Sequence, residues 1–216
     1  MEALIFQRAI CLAVGYVFGM FQTGYIVGRV MHVDIRKKGS GHAGSTNAVR
    51  VLGWKAGAVT FFGDVLKCIL AVLLMRFVFR ESDCLPLLVV YTGMGVTLGH
   101  NFPFYLKFKG GKGMAVLGAL VLMTAPCLVP IPLISFLIVV IFTRYVSLGS
   151  ILAAAIYFME VVFYGCMGGF GMELRYEVEL YILAGLIMIL AWVRHKDNIK
   201  RLLAGKENRF GVKKAE

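Results

Sequence analysis

MAVLGALVLMTAPCLVPIPLISFLIVVIFT, residues 114 to 143, runs from end to end without a charged side chain. A hydrocarbon core about 30 Å thick is crossed by about 20 helical residues, so the run is too long for one crossing. Pro126, Pro130 and Pro132 interrupt it. Each removes a backbone donor and breaks a helix, so the chain is expected to turn there between two short crossings. Charge at the two flanks arbitrates. Basic residues crowd Arg29 to Lys55, Lys107 to Lys112 and Arg194 to Lys214, whereas Glu173 to Glu179 is acidic. The positive-inside rule places the three basic stretches in the cytoplasm. An even number of crossings must then join 112 to 194, and two short spans within 114 to 143 meet that condition. The competing arrangement makes this run a dipping hairpin and leaves five crossings.

The other apolar runs are about Ala3 to Gly28, Trp54 to Phe79, Leu85 to Phe104, Val146 to Cys166 and Tyr176 to Val193. The first is too long for a signal-peptide core and lacks a small-residue cleavage site, so it is expected to persist as a helix. The expectation is an all-α, polytopic membrane helix bundle: a single domain over residues 1–216 with seven transmembrane helices, its N-terminus outside and its C-terminus cytoplasmic. Composition agrees. The 216 residues are 59% hydrophobic and 16% charged, with mean hydropathy +0.80, against roughly 45–50% and about 25% in soluble domains. Glycine pairs four apart, Gly15/Gly19, Gly24/Gly28, Gly53/Gly57 and Gly95/Gly99, permit close helix contact and together favour a compact bundle. The five cysteines stand singly and suggest neither a disulfide frame nor a metal site.

Three polar stretches fall on the cytoplasmic face. In KKGSGHAGSTNAVR, 37 to 50, Gly39, Gly41 and Gly44 free the backbone to turn N–H groups toward an anion. Ser40, Ser45, Thr46 and Asn47 add donors, and Arg50 supplies a planar fork suited to phosphate. In NFPFYLKFKGGKGMAV, 101 to 116, Gly110, Gly111 and Gly113 flank Lys112, a phosphate cradle around a point charge. It is not a nucleotide P-loop, because Gly113 stands where Ser or Thr would hold magnesium. The third stretch is VRHKDNIKRLLAGKENR, 193 to 209.

Plainer readings compete with these. Lys107 and Lys109 serve as topology signals. Ser40 alone is a turn or cap residue, and His100 and His195 are interfacial histidines unless their neighbours join them. Asp197 would cap a short amphipathic helix ended by Gly205, with Glu207 a partner for nearby bases. Asp64 and Lys67, three apart, would pair toward the bundle, away from lipid.

GSGHAGSTNAVR, GHNFPFYLKFKGGKG and HKDNIKRLLAGKE resemble, in order, the three signature motifs of the bacterial acyl-phosphate:glycerol-3-phosphate acyltransferases. GYIVGR at 24 to 29, GDVLKC at 63 to 68 and TRYVSLGSI at 143 to 151 extend the similarity over nearly the whole chain. His42 stands where the family pattern usually has Asn, retaining a side-chain donor. The resemblance implies an enzyme of the bacterial cytoplasmic (inner) membrane that moves a fatty acyl group from acyl phosphate to the 1-hydroxyl of glycerol 3-phosphate. The products are lysophosphatidic acid and phosphate, in the first acylation step of phospholipid synthesis. It implies catalytic roles for Ser40, Arg50, His195 and Asn198, and a structural one for Glu207. Substrate binding falls to Gly41, Thr46, Asn47 and His100, to Gly110, Gly111, Lys112 and Gly113, and to Ser147. It implies no cofactor, metal or nucleic acid; membrane lipid and a soluble acyltransferase that produces acyl phosphate would be its partners.

An acyl phosphate is a mixed anhydride with a good leaving group, so direct attack by the glycerol hydroxyl needs positioning, charge stabilisation and a proton acceptor. His195 or a substrate phosphate fills the last role. A covalent Ser40 intermediate lacks a recognisable Ser-His-Asp spacing. A transporter for a phosphorylated anion is the other class compatible with buried charges and broken helices. It would place substrate groups near the bilayer midplane and not on one face.

Overall fold

The computed structural model describes residues 2–211, and every regular element among them is helical. In chain order these are α1 (Glu2–Gly19), α2 (Thr23–Val30), α3 (Ser45–Leu52), α4 (Trp54–Val78), α5 (Leu85–Asn101), α6 (Met114–Thr124), α7 (Pro130–Thr143), α8 (Val146–Cys166), α9 (Leu174–Arg194) and α10 (Lys196–Leu203), with 3-10 turns at Ile35–Lys37, Phe104–Leu106 and Pro126–Leu128. Lys213 and Lys214, the end of the third basic stretch, lie outside the described residues.

Five stretches are long and apolar enough to cross a membrane: Leu4–Val30, Trp54–Val78, Pro126–Thr143, Val146–Cys166 and Leu174–Arg194. Their outer faces are lined with large apolar side chains, such as Phe77, Phe142 and Phe163 at 71, 83 and 70% exposure, which only a lipid surround makes favourable. α5 is instead the buried axis, with Leu87, Leu88, Val90 and Val96 fully enclosed.

The glycine pairs explain how α1 reaches that axis. A Cβ on Gly15 would fall 2.2 Å from Thr92 O and one on Gly99 would fall 2.2 Å from Tyr16 O, while the added atom on Gly95 and on Gly99 would lie 3.0 Å from the Cα of Gly15 and of Gly19. Two GxxxG surfaces thus face each other with backbone on backbone, and a methyl at any of the four positions would part the helices.

The first apolar run is not one continuous helix. α1 ends at Gly19 and the chain uncoils over residues 20–22 before α2 begins. The break is held by polar contacts that apolar periodicity does not register: Lys67 Nζ donates to Phe21 O at 2.6 Å, and Gln22 Nε2 donates to Gly19 O at 3.2 Å and to His100 O at 3.0 Å.

Residues 114 to 143 break where the prolines stand. α6 has 11 residues and α7 has 14, rises of about 16 and 21 Å, so neither spans about 30 Å as a straight helix by itself. The intervening 3-10 turn adds length. Thr124, the last residue of α6, meets Tyr157 OH at 3.2 Å, and Arg76 in the last turn of α4 donates to Met123 O at 3.1 Å. α7 then packs on α8, with Phe136 and Val140 against Gly149.

Candidate active site

The first loop is organised by Asn47, near the start of α3. Its Nδ2 donates to the carbonyls of Ile35 (2.9 Å), Lys38 (3.2 Å) and His42 (2.9 Å), and its Oδ1 accepts from Ser40 N at 2.8 Å. Both amide atoms of this buried side chain are therefore spent on the loop. Asn47 thus shapes the loop that carries Ser40 and Gly41. What the loop presents is Ser40 and Gly41, both exposed, and the N-terminus of α3. There the Ser45 and Thr46 amides have no backbone acceptor among the described residues, and a Cβ on Gly44 would have nothing within 4 Å. An open helix N-terminus is an anion site in form. Arg50 projects from α3, exposed and without an ion pair among the described residues.

The second loop lies down on the end of α5. Gly110 N donates to Asn101 O at 3.2 Å and Gly111 N to His100 O at 3.1 Å. A Cβ on Gly110 would come 2.0 Å from His100 O, and one on Gly111 would come 2.0 Å from His100 Nε2, so glycine is required at both. Gly113 adopts φ +79°, the left-handed turn that starts α6. From above, Arg194 grips the loop: its Nε and Nη2 donate to Gly111 O at 3.2 and 2.7 Å, and its guanidinium lies 5.0 Å from the centre of the Phe102 ring.

The third stretch closes the site. Lys112 Nζ donates to Asn198 Oδ1, and Asn198 Nδ2 donates to Glu207 Oε1 at 2.8 Å. Ser147 Oγ reaches the same oxygen at 3.1 Å, and Arg201 Nε binds Glu207 Oε2 at 2.8 Å. Glu207 is thus the structural knot between the start of α8, α10 and Lys112. Asp197 lies within the first turn of α10 and does not cap it, the N-cap position being His195, while Gly205 (φ +66°) follows the helix end as its sequence position suggests.

His195 is 3% exposed, and its Nδ1 lies 2.8 Å from Ala191 O. A carbonyl can only accept, so Nδ1 carries the hydrogen and Nε2 keeps its lone pair. Burial, and then the Lys112 charge, push its pKa down to about 4. Burial also brings Lys112 down to about 8 against the opposing pull of Glu207. His42 is likewise lowered, by burial first and then by Lys112. His42 and Lys112 both act on the His195 charge, which places the first loop beside the second and third at one end of the bundle.

Residues 9–205 match the family described as glycerol-3-phosphate acyltransferase. The chain belongs to that family. A glycerol-3-phosphate acyltransferase of Clostridioides difficile (strain 630) is 42% identical over 97% of this chain and 98% of its own length, and one of Thermoanaerobacter sp. (strain X514) is 36% identical over 93% and 94%. The crystal structure of PlsY (YgiH), an integral membrane glycerol 3-phosphate acyltransferase, in its glycerol 3-phosphate form superposes with a TM-score of 0.81 at 34% identity, covering 94% of this chain and 96% of that one. Its lysophosphatidic acid form gives 0.78 at 33%.

Residue chemistry alone passes over three contacts. Arg194 stood in a quoted motif without a role, yet it holds Gly111. Asn101 is fully buried with both amide atoms unpartnered among the described residues, and its Oδ1 lies 3.1 Å from where a Cβ on Gly113 would sit. Lys67 was paired with Asp64, as expected, but it also meets His100 Nδ1 at 2.8 Å. His100 is correspondingly buried beneath the loop. The signal available for each was a polar residue beside a glycine run or within an apolar one.

Proposed function

We propose that the protein transfers a fatty acyl group from acyl phosphate to the 1-hydroxyl of glycerol 3-phosphate, releasing lysophosphatidic acid and inorganic phosphate, at the cytoplasmic face of a bacterial inner membrane. One observation carries the reading. The first loop, through His42, and the second, through Lys112, both lie close enough to His195 to act on its charge, and Lys112 joins Asn198 and Glu207 of the third stretch. Two phosphorylated substrates need two anion-holding surfaces, and these two differ usefully. The second has a lysine at its centre and suits glycerol 3-phosphate. The first offers backbone and hydroxyl donors with Arg50 nearby, and suits the phosphate of the acyl donor, whose chain extends into lipid.

In the reaction the glycerol oxygen bonds to the acyl carbon, the carbon–oxygen bond to phosphate breaks, and phosphate leaves with that electron pair. The hydroxyl proton needs an acceptor. A His195 held near pKa 4 is a weak base, whereas a phosphate oxygen titrating near 6 is stronger. We therefore assign the 1-hydroxyl proton to the departing phosphate and leave His195 Nε2 to accept a hydrogen bond from the neighbouring 2-hydroxyl, which orients the glycerol. Ser40 orients a substrate oxygen through its hydroxyl, and Asn198, whose Nδ2 gives one hydrogen to Glu207, does so through its second N–H. No metal or nucleotide takes part.

The topology that accompanies this reading has seven crossings, with α6, the 3-10 turn and α7 together going out and back. Cysteines placed singly at the exposed positions Lys38, Lys109 and Lys206 in a cysteine-free background should react with impermeant reagents only from the cytoplasm, and one at Glu173 only from outside. For the chemistry, purified protein should be offered acyl phosphate and acyl-CoA in competition, with glycerol 3-phosphate as acceptor. Release of lysophosphatidic acid and phosphate without metal or nucleotide is expected; strict dependence on acyl-CoA would overturn the reading.

A further inference from the structure

Lys67 lies within α4, 6% exposed, and Asp64 beside it is 2% exposed. An ammonium has three N–H bonds, and all three are spent: on Phe21 O at 2.6 Å, on Asp64 Oδ1 at 2.7 Å and on His100 Nδ1 at 2.8 Å. Thr23 Oγ1 adds a further hydrogen bond to Asp64 Oδ1 at 3.2 Å. With the ammonium as donor, His100 Nδ1 must accept, and the imidazole hydrogen is confined to Nε2. That nitrogen faces the second loop, since a Cβ on Gly111 would fall 2.0 Å from it. Meanwhile His100 O receives the Gly111 amide at 3.1 Å. The backbone and the ring of one residue thus form the floor on which residues 110–112 rest.

Stability does not explain why this floor is ionic. Burying an ion pair costs about as much in desolvation as the pair returns, and apolar side chains of similar volume commonly serve as well. What apolar side chains cannot do is choose which nitrogen of an imidazole carries its hydrogen. A single ammonium here links the α1–α2 break, α4 and α5 to the loop that presents Lys112.

We propose that Asp64 and Lys67 are positioning residues for acyl transfer, fixing His100 as its Nε2–H tautomer so that the floor under Gly111 sets the place of Lys112. This rests on the reading of that loop as the glycerol 3-phosphate site. Neither residue touches substrate; both act through His100.

The test replaces the pair by apolar residues, Asp64→Leu with Lys67→Met, so that no charge is left unpaired, and runs beside Lys112→Ala. The double variant should raise KM for glycerol 3-phosphate by about tenfold, the low end of losing a charge-assisted contact. KM for acyl phosphate and the thermal midpoint should stay near the parent's. In parent protein labelled with 15N-histidine, the His100 signals, assigned through His100→Gln, should show an unprotonated Nδ1 and a protonated Nε2. In the double variant the two tautomers should mix. A parent spectrum with the hydrogen on Nδ1 overturns the proposal even where the double variant does not fold. So does a folded double variant whose KM for glycerol 3-phosphate is unchanged while Lys112→Ala raises it. If Lys112→Ala leaves that KM unchanged, it is the assignment of the loop that fails.

Discussion

Buried charge gathers at two ends of this bundle, and the two clusters are finished differently. Away from the loops, Arg8 grips Glu179 through Nε and Nη2 at 2.6 Å each, and Tyr91 OH closes on the same carboxylate at 2.5 Å. Three helices, α1, α5 and α9, end their polar business on one acceptor. Beneath the loops, Lys67 divides itself among a carbonyl, a carboxylate and an imidazole. A guanidinium is a flat fork that closes a pair, whereas an ammonium is a point donor that can be shared. A closed pair fixes helices to one another. A shared donor also passes position onward, here through His100 to Gly111, which Arg194 holds from the other side.

If the loop end serves a ligand and the far end does not, substitutions at the two should separate kinetics from stability. The largest effect is expected at the loop itself. Lys112→Ala removes the cation, and Gly111→Val drives a Cβ onto an imidazole that Lys67 keeps from moving. Each should lower kcat/KM for glycerol 3-phosphate by about 10-fold to 150-fold, corresponding to about 1.5–3 kcal/mol for a charge-assisted contact kept in the transition state. Lys107→Ala, an exposed position, should change it far less. Near-parent values in correctly inserted Lys112→Ala and Gly111→Val would remove the loop from substrate binding.

Arg194→Ala should come next, at about tenfold in KM for glycerol 3-phosphate, because it frees the Gly111 carbonyl without removing Lys112. KM for the acyl phosphate should hold. Equal losses for both substrates would mean that Arg194 supports the fold generally and not the second loop.

A pH profile gives a smaller effect with a definite sign. Burial lowers the Lys112 pKa to about 8, so the cation proposed to hold phosphate is present below that pH and is lost above it. kcat/KM for glycerol 3-phosphate, which reports the free enzyme, should fall about tenfold per pH unit on the alkaline side. Lys112→Arg, always charged, should shift that limb upward if the longer side chain is accommodated. A profile flat to pH 10 in the parent would show that the ammonium is not the titrating group.

These expectations also mark what the sequence could disclose. Apolar runs and prolines locate nearly every helix, and the four-residue glycine spacing of α1 and α5 finds its match across the bundle, because those signals are local and periodic. Lys112 and Glu207 stand out through their neighbours. The grip of Arg194 on Gly111 joins positions 83 apart in the chain, and no local pattern specifies which carbonyl a fork will meet. Asn47 fits the same account: its residue type promised a donor, but only the folded loop shows that the amide is already used. The break of α1 after Gly19 is not legible locally, because Met20 and Phe21 continue the apolar run and the polar Gln22 by itself does not specify a helix end. What stops the helix is a lysine some 46 residues away.

The smallest kinetic effect is expected at the Arg8–Glu179 cluster, and it is the sharpest control. Glu179→Gln keeps the side chain's shape and an acceptor oxygen for Arg8 while removing the charge, so Arg8 becomes a cation without its counterion between α1 and α9. Arg8 and Glu179 are largely enclosed, 17 and 29% exposed, so water offsets only part of the loss. A stability cost of about 1–3 kcal/mol is expected, read as an earlier thermal midpoint in detergent. KM for glycerol 3-phosphate and kcat should not move, because Glu179 lies about 22 Å along α9 from Arg194, and its partners Arg8 and Tyr91 sit on α1 and α5 away from the loops. Should Glu179→Gln raise KM for glycerol 3-phosphate as Arg194→Ala does, the Arg8–Glu179 cluster would be passing position to the site along α5 or α9, and the division between a closed clamp and a transmitting one would fail.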